Sequence, residues 1–129
     1  MVLRTTCLVA AAVIACSQAR AAEVIMPINF IGEWCYSAQQ DKTTSYTLPS
    51  WTEGGHCTKI LSIEQYVFYG EGRTCDPVNI RQTKKVAPSG TAYTALVTAA
   101  CQPNGPVVPT KLQTLEFYRY KGRLTVTSK

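Results

Sequence analysis

His56 is the single histidine of the chain and stands in the run Gly54-Gly55-His56-Cys57. A loop imidazole can act as a general base, but any Ser-His-Asp relay must recruit this one ring. No Gly-x-Ser-x-Gly elbow is present to supply the nucleophile. An exposed or locally bonded ring is the commoner use of such a histidine. The six cysteines offer other chemistry. They contain no Cys-x-x-Cys and their separations are long, which argues against a zinc centre and against dithiol exchange. No catalytic residue, no metal and no cofactor are expected.

Carboxylates are few. Glu71, Arg73 and Asp76 form a local charged group that reads as a solvated bend, whereas Glu116, between apolar and aromatic neighbours, is a candidate to point inward. If buried it needs a partner or a raised pKa. Arg81, Lys84, Lys85, Arg119, Lys121 and Arg123 lie among tyrosines, a mixture that can bind single-stranded nucleic acid or sugars by charge and stacking. Solvated strand faces explain them more simply, and nucleic acid is not an expected partner. Seven tyrosines exceed what a minimal core requires. Trp51, in a polar loop after Pro49, has less core to join than a buried ring would, so it is a candidate contact residue. With it we place His56 and Tyr118 as candidate binding residues.

These residues are carried on a chain of 129 residues, 46% hydrophobic and 16% charged. That suits one compact domain and argues against disorder, a coiled coil or a polytopic membrane protein. Residues 1–21 read as a secretory signal-peptide helix. Arg4 supplies the charged start, Cys7 to Ala15 the apolar stretch, and Ala19-Arg20-Ala21 the small-residue cleavage site. An alternative is lipidation: Val13-Ile14-Ala15-Cys16 is similar to a bacterial lipobox and would make Cys16 the anchored N-terminus. No other apolar run approaches a membrane span. Removing Arg4 and Arg20 lowers the formal charge from +5 to +3. Such a charge favours solubility and names no partner.

Four cysteines then remain: Cys35, Cys57, Cys75 and Cys101. In an exported chain they imply two disulfides. Three pairings are open. Cys35–Cys57 with Cys75–Cys101 is preferred, since each bridge then links neighbouring segments of a meander. On a chain-entropy model each contributes about 3–4 kcal/mol.

After a short N-terminal arm (22–29) containing Pro27, the pattern has period two. Trp34 and Tyr36 share a face, as do Tyr46 and Leu48, Leu61 and Ile63, and Val78, Ile80 and Val86. Tyr93, Ala95, Val97, Ala99 and Cys101 form the longest run, and Lys111 to Tyr120 with Arg123 to Thr127 closes the chain as a hairpin. Such alternation indicates half-buried strands, about eight of them. An antiparallel up-and-down barrel buries one face and removes both edges, whereas a two-sheet sandwich is the alternative. The expected domain is all-β, spans 30–129, and has Trp34, Leu61, Ile80, Val97, Leu124 and Val126 inside. Its binding loops, 49–56 and 102–109, should share the open end.

The opening Phe30-Ile31-Gly32-Glu33-Trp34-Cys35 resembles two groups. Its Gly-x-Trp is similar to the first strand of lipocalin-like and avidin-like barrels, and of small periplasmic protease inhibitors of that architecture. That resemblance implies a tryptophan plugging one barrel end. With four mature cysteines and the spacing from Tyr93 to Cys101, the chain also resembles a group of uncharacterised small exported bacterial proteins. This second likeness implies a fold and a compartment and carries over no catalytic residue.

The resulting expectation is a monomeric, non-catalytic binding protein, periplasmic or secreted, or lipid-anchored at the outer membrane. Its partner is a small ligand or a protein. A small-ligand binder needs an unfilled interior. A protein-binding or inhibitory module has a filled barrel and apolar anchors on a loop or the N-terminal arm. A hydrolase needs His56 within hydrogen-bond reach of a serine or carboxylate in a cleft.

Overall fold

A computed structural model describes the backbone of residues 24–87, 90–104 and 110–129, and their side chains except those of 53 and 84–87. The expected leader with Cys16, the Pro88-Ser89 turn, most of the 102–109 connection and the side chains of Lys84, Lys85 and Val86 lie outside these residues. The strands are β1 (Gly32–Gln40), β2 (Thr43–Thr47), β3 (Ile60–Ile63), β4 (Phe68–Gly70), β5 (Arg73–Ala87), β6 (Gly90–Pro103), β7 (Lys111–Tyr120) and β8 (Arg123–Ser128). They close into one all-antiparallel barrel in the order β1-β2-β8-β7-β6-β5-β4-β3.

Alternation does what the sequence pattern requires. Ala95, Val97 and Ala99 of β6 face inward with Leu115 and Phe117 of β7 and Leu124 and Val126 of β8. All are buried, as are Trp34 and Leu61. Each large side chain removed from water stabilises the fold by about 1.5–3 kcal/mol. Phe117 meets Phe30 and Phe68 edge to face, with ring centroids 5.9 and 5.3 Å apart. The same period two sends Glu116 outward, contrary to the inward placement considered for it: it pairs with Lys129 Nζ at 3.1 Å. A bulge between Pro77 and Asn79 corrects the β5 reading. Val78 is the inserted residue and is exposed, while Ile80 is half-buried at the margin of the core. A bulge breaks the alternation that would have given both residues one face.

From β3 to β8 the chain is a meander, but the first hairpin is set into the barrel differently. β1 pairs with β2 through Cys35 to Gln40 and with β3 through Gly32 to Cys35. β2 ends and β3 begins at the same level, on opposite edges of β1. Residues 48–59 must therefore cross the outside of β1 at Cys35. Trp34 points inward, so Cys35 points outward, yet it is only 1% exposed. The Cys35–Cys57 disulfide pins the crossing segment there. The second bridge joins Cys75 and Cys101, directly opposite each other on β5 and β6. Both pairings are the preferred ones, although the first closes a crossing rather than a simple hairpin.

One end is plugged. The indole Nε1 of Trp34 donates to the carbonyl of Phe30 at 2.9 Å, and Met26, Phe30 and Trp34 are buried there. Arg119 holds the arm: Nη1 donates to the carbonyl of Asn29 at 2.7 Å, and Nε donates to that of Lys121 at 2.8 Å. Its guanidinium lies 5.0 Å from the Trp34 ring, within cation–π range.

Candidate functional site

The opposite, open end carries the β1–β2 turn (Asp41, Lys42) and the β4–β5 turn (Glu71, Gly72). Glu71 (φ 51°) and Gly72 (φ 80°) are both left-handed, as a two-residue type I′ hairpin demands. That turn brings Glu71 to β2, where the Tyr46 hydroxyl donates to Oε2 at 2.8 Å. Burial first, and the Glu71 carboxylate second, push the Tyr46 phenol well above its ordinary value. Arg73 begins β5, and its Nη1 donates to Gln113 Oε1 of β7 at 2.7 Å. Glu71 and Arg73 thus span the mouth instead of forming a bend-local cluster.

Tyr46, Glu71, Arg73, Asp41 and Lys42 line a basin of about 390 Å³. Beneath it, a cavity bounded by Leu61, Phe68 and Phe117 measures about 20 Å³. That is room for one water and no organic ligand. The basin carries both signs of charge and suits a polar group resting at the mouth.

The plugged end has a different surface. Ile28 is 81% exposed and Ile25 48% exposed on an arm tied down by Met26 N donating to the Gln65 carbonyl (2.8 Å) and by Arg119. Tyr66, in the β3–β4 turn beside Gln65, is also exposed. Trp51 is half-exposed and lies against the β7–β8 turn at the same end. A Cβ on Gly122 would come 2.5 Å from its Cε2.

Of the residues singled out by sequence, Trp51 and His56 sit in the crossing segment and Tyr118 on the outer face of β7; none lines the basin. His56 is exposed and has no hydrogen bond or ion pair among the described residues, so no base and nucleophile meet there. The binding loops do not share an end. Leu48 N donates to the Gly122 carbonyl, which ties the crossing segment to the plugged end, while Asn104 N donates to that of Gly72 at the open end. The cause is the crossing over β1, which leaves β2 and β3 running in the same direction. The Tyr46–Glu71 and Arg73–Gln113 contacts were not readable from the sequence, because each joins strands distant along the chain. Among the described residues no group of three or more His, Cys, Asp or Glu side chains could share a metal ion, and no helix is long and apolar enough to cross a membrane. Comparison with protein-family models, with curated proteins and with solved structures finds no match to this chain.

Proposed function

We propose that this protein is a non-catalytic, exported binding module whose partner is another protein, met at the plugged end. The observation that carries the reading is the 81% exposure of Ile28 on an arm held rigid by Arg119 and Gln65. An ordered backbone presenting large apolar side chains to water is what an interface anchor requires, since little ordering entropy is left to lose on binding. Ile25, Tyr66 and Trp51 add apolar and aromatic area at that end, the composition of interface centres. The small size of the cavity among Leu61, Phe68 and Phe117 argues against a ligand enclosed there. Two disulfides suit an oxidising compartment, periplasmic or extracellular, and agree with the leader read at 1–21. Lipidation at Cys16 is the alternative, and it would tether the same module to a membrane.

A photocrosslinking residue placed at position 28, in the chain expressed in its own cells, tests this. A covalent adduct with one protein species is expected, and Ile25→Asp in the same chain should abolish it while leaving the melting temperature unchanged. Labelling no stronger than from a control position at Gln40 would overturn the reading.

A further inference from the structure

A second concavity lies away from both ends, on the outer wall where β5, β6 and β7 run side by side. It encloses about 440 Å³ and is lined by Arg81, Gln82, Thr83, Thr94, Leu96 and Glu116. The strand register sets two rows across it, Arg81–Leu96–Glu116 and Thr83–Thr94–Tyr118. Leu96 is the apolar floor, with a guanidinium on one side and a carboxylate on the other.

Two features of the groove have no structural return. Thr94 is only 6% exposed, and its Oγ1 is buried without a hydrogen-bond partner. Buried hydroxyls are ordinarily paired, and an unpaired one destabilises the fold. Arg81 makes no hydrogen bond or ion pair among the described residues, whereas Glu116 is held by Lys129. The groove therefore carries one cation and one carboxylate, the carboxylate already neutralised from outside by Lys129, with one guanidinium fork and one hydroxyl unused.

We propose that this groove binds a hydroxylated carboxylate, the sugar-acid unit of an acidic glycan. The ligand carboxylate accepts two parallel hydrogen bonds from Arg81, the geometry a guanidinium fork favours. One sugar hydroxyl bonds Thr94 Oγ1, another donates to Glu116, and the C–H face of the ring rests on Leu96. Thr94 Oγ1 is closed from water in the free protein, so the ligand must displace a neighbouring side chain to reach it, and Tyr118, its register partner on β7, stands where it can report that change. That movement supplies a readout. The site is independent of the protein-binding surface at the plugged end.

Titration of the purified protein with sodium glucuronate, followed by the NMR signals of the Tyr118 ring, tests the assignment. Saturable shifts are expected, with affinity at least about tenfold above that for glucose, which lacks the carboxylate, and for acetate, which lacks the hydroxyls. Arg81→Gln should weaken binding about tenfold. Thr94→Val should weaken it severalfold while the melting temperature holds or rises, an outcome a purely structural threonine would not give. No saturable shift up to about 10 mM glucuronate, an equal response to acetate, or binding untouched by both substitutions would overturn the proposal.

Discussion

Tyr46 shows how one residue links the barrel wall to its mouth. Its ring is buried and its hydroxyl donates to Glu71, so folding favours the protonated phenol. A phenol whose pKa is raised on folding contributes stability in full below its unfolded value near 10.0. That contribution drains away as pH climbs through the folded value. The wild-type melting temperature should therefore fall above pH ~10, and Tyr46→Phe should lose part of that slope while costing about 1 kcal/mol at neutral pH. Calorimetry of both chains across that range checks the sign. Residue identity alone made some of this legible. With Cys7 and Cys16 assigned to the expected leader, the four remaining cysteines allowed three pairings, and the preferred pairing is the one present. Glu116 was ambiguous only while the faces of its neighbours were unassigned. Once Leu115 and Phe117 are seen to face inward, a pleated strand leaves it no choice but the outside. Arg119 was illegible, because its work is done on the arm carbonyl of Asn29 and the Trp34 ring.

The elements were readable wherever a strand kept strict alternation, as β6 does from Tyr93 to Cys101. They were unreadable where pairing partners had to be chosen. Period two tells which face a side chain occupies and says nothing of which strand lies alongside, so the β1–β3 and β2–β8 pairings leave no local trace. The crossing over β1 follows from those pairings, and it makes the Cys35–Cys57 bridge the fastening of the segment 48–59. Replacing both cysteines by alanine should cost about 3 kcal/mol in urea unfolding and open that segment to limited proteolysis before the rest of the chain. Protection of 48–59 equal to that of β6 in the substituted protein would refute this role. Gly122→Ala tests the other contact of the segment. A methyl there collides with the Trp51 indole, which must swing into water, and its fluorescence should shift to longer wavelength.

As a whole molecule the barrel is stabilised by what fills it. Phe117 is fully buried and meets two other phenylalanines, so Phe117→Ala should cost about 3–5 kcal/mol. In a domain of this size that is a large share of a total of about 5–15 kcal/mol, and chemical denaturation measures it directly. The β2–β8 seam, which joins Tyr46 to Leu124, has a temporal consequence as well. Residues 123–128 are made after every other strand described, yet those residues shut the cylinder. Until they emerge, β2 and β7 each keep a raw hydrogen-bonding margin able to recruit a stranger. A nascent copy is thus sticky until β8 has been made, and deleting residues 123–128 should make the product aggregate where the whole chain does not.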